Sequence, residues 1–199
     1  RQVRCRYPSP SGSARREQLL QIGQNVAGVL GQREVDVAGR IDQHELTLVV
    51  EDDGGVAGFA VGAADTIAWE ARLEREWWPA LRRRYARPGG DPDHWTADQR
   101  RCAMIHRPER TPLAVALAFP AHLHLNLLPR LQHRGVGPRL LQAWLEHAAT
   151  EPARAVHVGV NRANERALQF WSRWNFKRLT KGGGGGRTIW MGRTVSERA

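Results

Sequence analysis

Hydrophobic and polar positions along this 199-residue chain change period several times, and each change marks an element. Alternation is clearest over 121–128, AHLHLNLL, where Leu123, Leu125 and Leu127 share one face and His122, His124 and Asn126 share the other. Period two predicts a strand. A Pro-containing turn comes next, then the basic Gly-rich run Gln132-His133-Arg134-Gly135-Val136-Gly137. Directly after it Leu140, Leu141, Trp144, Leu145 and Ala148 fall on one face of a helix.

The same reading extends to both sides. Val3, Cys5 and Tyr7 alternate as a short strand, and Leu19 to Leu30 have helical spacing over 14–30, with Ser13 as cap and Gly31 as stop. Residues 46–50 and 56–61 form a hairpin around Glu51-Asp52-Asp53-Gly54-Gly55, whose carboxylates read as a solvated tip. From 65 to 112 the pattern is helical and aromatic, too long for a structureless loop, and most of its Trp residues read as core. A second buried strand, AVHVGV at 155–160, follows the crossover helix and is parallel to the first. Asn161 or Asn164 caps a helix bearing Ala167, Leu168, Trp171 and Trp174, and two closing strands are joined through five glycines that read as a flexible link. These elements predict an α/β (α+β) fold: one domain over 1–199, a mixed central sheet flanked by helices, and a helical insertion at about 65–112.

Composition changes this picture little. A hydrophobic content of 41% suits a globular core, and no apolar run is long enough to cross a bilayer, so the expectation is a cytoplasmic protein without membrane attachment. Two distant cysteines, Cys5 and Cys102, support neither a disulfide framework nor a metal site. The net charge of +10 comes almost entirely from scattered Arg, with no nucleic-acid-binding motif, which argues against a nucleic-acid partner and is compatible with an anionic small molecule.

The loop at 132–139 carries the chemistry. The first N–H groups of a helix lack internal partners and sit at the positive end of its dipole, so they attract anions. Gly135 and Gly137 admit a phosphate close to the main chain, while Arg134 and Arg139 add charged donors. A P-loop would need Lys and Ser or Thr where Pro138 and Arg139 stand, and a dinucleotide fingerprint would need Gly where Leu140 stands.

The remaining pattern, Q-x-x-G-x-G after a strand, resembles motif A of the GCN5-related N-acetyltransferases (GNAT). Asn164-x-x-Ala167-x-x-Phe170-Trp171, ending in Asn175-Phe176, resembles their motif B. Over roughly 40–193 the chain is similar to the acetyltransferase-like domain of O-GlcNAc hydrolases and its free-standing bacterial relatives. The resemblance implies a GNAT fold with splayed fourth and fifth strands and an insertion between strands three and four. It implies acetyl-CoA as co-substrate, with Leu127 and Leu128 offering backbone groups to pantetheine beside a strand bulge before Pro129. Gln132, His133, Arg134, Gly135, Val136, Gly137, Pro138 and Arg139 would cradle the pyrophosphate, and Asn164, Ala167 and Trp171 would line the coenzyme arm.

Two departures from the family pattern stand out. Trp171 replaces the usual Tyr, and an indole is no acid for the departing thiolate at neutral pH. Asn175 replaces a Gly, a tolerated change in the left-handed region. For the base, His122, His124 and His157 form a group on the splayed strands, each also able to serve simply as a hydrogen-bonded core residue, and Asp65 either orients an amine or caps a helix. Two functions follow: acetyl transfer to a primary amine of an unidentified acceptor (small molecule, amino sugar or peptide lysine), or a catalytically degenerate coenzyme-binding or interaction module.

Overall fold

A computed structural model describes residues 4–6, 46–53, 55–149, 154–179 and 186–195. The helix expected over 14–30 and most of the five-glycine link lie outside the described residues. The described residues divide into two compact units, one made of 4–6, 46–67 and those from 111 onward, the other of 68–110.

The first unit holds a seven-stranded sheet in the order β1-β2-β3-β4-β5-β7-β6. Its strands are β1 (Arg4–Arg6), β2 (Leu46–Asp52), β3 (Gly55–Ala63), β4 (Ala121–Leu127), β5 (Ala155–Asn161), β6 (Lys177–Arg178) and β7 (Thr188–Thr194). The expected hairpin is β2 and β3, longer than periodicity marked it, with Gly55 at φ 92° closing the turn. Asp52 is no bare tip, since Arg130 donates to both of its oxygens at 2.8 and 3.1 Å.

All neighbouring strands are antiparallel except β4 and β5, which are parallel and pair only at Ala121–Val156 and His122–His157. Beyond His122 the two strands part. β4 meanwhile stays in register with β3 from Ala63–His122 to Gly58–Leu127 without interruption, so the bulge expected before Pro129 is absent. The opening arises because β4 follows β3 from His122 onward, while β5 follows β7 along its whole length.

The insertion between β3 and β4 is helical, as expected. It begins with α1 (Thr66–Arg72), passes through a π-helical turn (Leu73–Trp77) into α2 (Trp78–Arg84), and continues to α3 (Ala97–His106). Thr96 and Gln99 close a reciprocal capping box at the start of α3. Within the second unit Trp78, Leu81 and Ile105 are buried together, with Leu73, Trp77 and Tyr85 against them, so the aromatic spacing here is core. Arg82 binds the Glu74 carboxylate and donates to the Ile105 carbonyl at 3.1 Å. A short helix that periodicity did not mark, α4 (Leu113–Ala118), precedes β4.

The crossover helix α5 (Val136–Ala148) lays Leu140, Leu141, Trp144 and Leu145 on one face of the sheet beside Leu46, Leu48, Leu123 and Val156. Trp144 is fully buried and its Nε1 donates to the Leu46 carbonyl at 2.9 Å, so helix and sheet share a hydrogen bond as well as apolar area. Close approach here depends on Gly62, where a Cβ would stand 2.1 Å from the His122 carbonyl oxygen and 2.6 Å from the Trp144 ring. After β5, α6 (Glu165–Arg173) completes the described helices, with Asn164 accepting from the Ala167 N–H at 3.0 Å. Among the described residues no helix is long and apolar enough to cross a membrane.

Candidate active site

The strand-loop-helix at β4 and α5 supplies the first half of the site. Leu128 is engaged on both sides, its N–H donating to Ala57 O at 2.8 Å and its carbonyl accepting from the Leu131 N–H at 2.9 Å. Its N–H is therefore committed to β3, and only the second lone pair of its carbonyl is left for another donor. Since successive amides of a strand point to opposite edges, Leu127 directs its backbone toward the opened side. Its carbonyl accepts from Gln132 Nε2 at 3.0 Å, which leaves the N–H as its donor on that edge.

Gln132 is therefore a brace. Its Oε1 accepts from Arg166 at 3.3 Å, tying the loop to α6. His133 and Gly135 both take positive φ, 59° and 72°, and this double turn delivers the chain into α5 at Val136. A Cβ on Gly135 would meet nothing within 4 Å, so glycine here serves the backbone angle and leaves open space above the loop. Pro138 has no N–H, so the donors at the helix start are Val136 and Gly137; the Arg139 N–H reaches Gly135 O only at 3.5 Å. Arg134 and Arg139 are exposed, whereas Arg130 is committed to Asp52. An anion above this loop would meet main-chain donors, a helix dipole and two guanidinium groups.

The second half lies on the opposite face of the sheet. His122 and His124 present their rings at 5.6 Å, and His122 and His157 at 6.1 Å between centroids. His122 and His124 thus share a face, as their alternation implied, and the neighbouring strand brings His157 beside them. They differ in setting. His157 is 1% exposed, its Nδ1 donates to the Phe119 carbonyl at 2.7 Å, and its ring meets Trp190 edge-on at 5.6 Å. A group so enclosed packs as a core residue, with its Nδ1 proton committed to that carbonyl. His122 is half-buried, with Nδ1 3.1 Å from Thr66 Oγ1. His124 remains accessible to solvent, yet the protein packed around it lowers its pKa from 6.5 to about 4, the neighbouring His157 adding to the effect. It is neutral at physiological pH.

Asp65 is exposed and immediately precedes α1. The neighbour that sequence reasoning passed over is Thr66, 2% exposed, whose N–H and hydroxyl both donate to the Pro120 carbonyl, at 2.8 and 2.6 Å. A Thr at the start of a helical pattern was its only signal in the sequence. Among the described residues no cluster of His, Cys, Asp and Glu could hold a metal ion.

The model of the acetyltransferase (GNAT) family matches residues 24–176. The chain belongs to this family. Among solved structures, the GNAT chain is similar to SsHAT, at 29% identity and a TM-score of 0.76 over 98% of this chain and 99% of that one. It shares its fold with a Salmonella typhimurium acetyltransferase, yncA, determined with its cofactor acetyl-CoA, at 15% identity and a TM-score of 0.54 over 100% of this chain and 97% of that one. Curated relatives are the rat and mouse O-GlcNAcases, 22% identical over 125 residues, or 63% of this chain. The match spans only 14% of their length.

Within the GNAT frame, the residues of motif B have mainly structural duties. Asn164 caps α6, and the Ala167 N–H is spent on that cap. Trp171 is 7% exposed, packed edge-on against Phe170 at 5.1 Å and Phe176 at 4.8 Å. The indole is thus held in the core by its two aromatic neighbours. Asn175 takes φ 62°, the left-handed angle its replacement of Gly implied. Phe170 instead faces the loop, lying 3.5 Å from where a Cβ on Gly137 would be.

Proposed function

We propose that this GNAT chain binds acetyl-CoA and transfers the acetyl group to a primary amine. The observation that carries the reading is the double positive-φ loop at His133 and Gly135, which aims the α5 start into open space beside an opened strand edge. Val136 and Gly137 N–H groups with Arg134 and Arg139 would hold the pyrophosphate, and the Leu127 N–H would pair with pantetheine. Bound there, acetyl-CoA would supply a thioester carbonyl; attack by an amine nitrogen forms the amide C–N bond and breaks the C–S bond, releasing coenzyme A as a thiolate that takes its proton from water. His122 accepts a proton from that amine, and the exposed Asp65, one residue before Thr66, orients it. His124, neutral at pH 7, adds no charge to repel a cationic acceptor.

A second reading is a coenzyme-binding or interaction module without turnover. It is favoured by Trp171, a core indole where the family usually has a phenol able to protonate the thiolate. Calorimetric titration with acetyl-CoA, combined with thiol release across a panel of amino sugars, small amines and lysine peptides, separates the two. Binding with acceptor-dependent thiol release is expected. Binding without release across the panel supports the module, and absence of binding overturns both.

A further inference from the structure

We propose that Thr66 is the positioning residue of this site, fixing His122 in the tautomer that carries its proton on Nδ1 and its basic lone pair on Nε2. The inference rests on the reading of His122 as proton acceptor for its consequence in catalysis, while the geometry behind it is independent of any substrate.

The Pro120 carbonyl can only accept hydrogen bonds, and Thr66 Oγ1 lies 2.6 Å from it. The hydroxyl hydrogen must therefore point at Pro120. At the 3.1 Å contact between Thr66 Oγ1 and His122 Nδ1, the oxygen offers a lone pair and the ring must supply the hydrogen. The protons run one way: Nδ1–H to Oγ1, then Oγ1–H to the carbonyl. The Thr66 N–H donates to the same carbonyl at 2.8 Å, so the hydroxyl is held from two sides.

The preceding carbonyl does the equivalent for the partner histidine, since Phe119 O accepts directly from His157 Nδ1 at 2.7 Å. Two consecutive carbonyls, at 119 and 120, thus set the same tautomer in two histidines on neighbouring strands. Only His122 of the pair is accessible, and Thr66 is what connects it to this segment. A general base needs its lone pair at the nitrogen facing the substrate, so an orienting acceptor behind the ring governs the rate without touching substrate.

The test is the tautomer itself. Two-bond proton–nitrogen correlation spectra of the histidine-labelled full chain near pH 7.5, with His122 assigned by loss of its signals in His122→Gln, should show a protonated Nδ1 and an unprotonated Nε2. Thr66→Val should shift His122 toward the opposite tautomer, and Thr66→Ser should restore the wild-type pattern. With an accepted amine, Thr66→Val should lower kcat by about ten- to a hundredfold, with KM for acetyl-CoA unchanged and kcat recovered in Thr66→Ser. Protonation of Nε2 in the wild type, or an unaltered His122 spectrum in Thr66→Val, overturns the proposal. Failure to find turnover leaves the spectra readable, so failure of the transferase reading is distinguished from failure of this one.

Discussion

At the scale of single residues, the site separates histidines that look equivalent in sequence. Two lie on the alternating strand β4 and the third on the buried strand β5, yet one is core, one is wired to a threonine, and one is solvent-accessible but crowded. The sign of the last effect gives a test. His124 in the folded protein has its pKa lowered to about 4 from 6.5, so below pH 6.5 the unfolded chain takes up a proton that the folded chain refuses. Stability contributed by the neutral ring is complete above pH 6.5 and is lost progressively as pH falls toward 4. Urea unfolding at pH 7, 5.5 and 4.5 should show a steeper loss of stability in the wild type than in His124→Gln, whose side chain does not titrate. Parallel pH profiles for the two proteins would refute the assignment of this proton to His124.

At the scale of elements, much was legible because the local pattern and the tertiary setting agree. The alternation of β4, the amphipathic face of α5 and the acidic glycine turn each specify one structure, and the helical insertion followed from its length and spacing. The α4 segment was not legible: its six residues are almost wholly apolar and carry neither period. The hydrogen bonds of Leu128 and the burial of Trp171 were hidden for a different reason, because motif spacing does not record which groups the fold itself engages. Gly135 illustrates what the structure adds to a legible motif. Its φ of 72° disfavours a side chain, but nothing lies within 4 Å of a Cβ there. Gly135→Asp should therefore fold, losing about 1–2 kcal/mol to the left-handed angle and recovering part of that from the helix dipole. Its carboxylate would stand in the space proposed for the pyrophosphate, and acetyl-CoA affinity should fall on the order of a hundredfold, or about 3 kcal/mol. Gly135→Asn, which tolerates the same angle without charge, should lose distinctly less. Calorimetry on the three proteins checks this, and unchanged affinity in the Asp variant would refute the loop as the phosphate site.

At the scale of the whole molecule, the open issue is whether the +10 charge or the local loop attracts an anionic ligand. Basic residues spread over the chain act through a long-range field, which salt screens beyond about 8 Å at physiological ionic strength. The loop acts at contact distance, through main-chain donors that salt screens far less. Of the nearby guanidinium groups, Arg130 is bound to Asp52 and Arg166 leans on Gln132, leaving the exposed Arg134 and Arg139 as the pair able to turn to a ligand. Replacing both with Ser changes the net charge from +10 to +8, a small change in the overall field. If the loop dominates, Arg134→Ser/Arg139→Ser should weaken acetyl-CoA binding about tenfold at low salt, equivalent to about 1.4 kcal/mol. The wild type should then lose affinity with added salt more steeply than the double variant, because the variant retains only the salt-resistant N–H groups of Val136 and Gly137. If the diffuse field dominates, the double variant should bind almost as well as the wild type, with the same salt slope. Titrations of both proteins from low to high sodium chloride decide between the two, and equal slopes with equal affinities would remove these arginines from the coenzyme site.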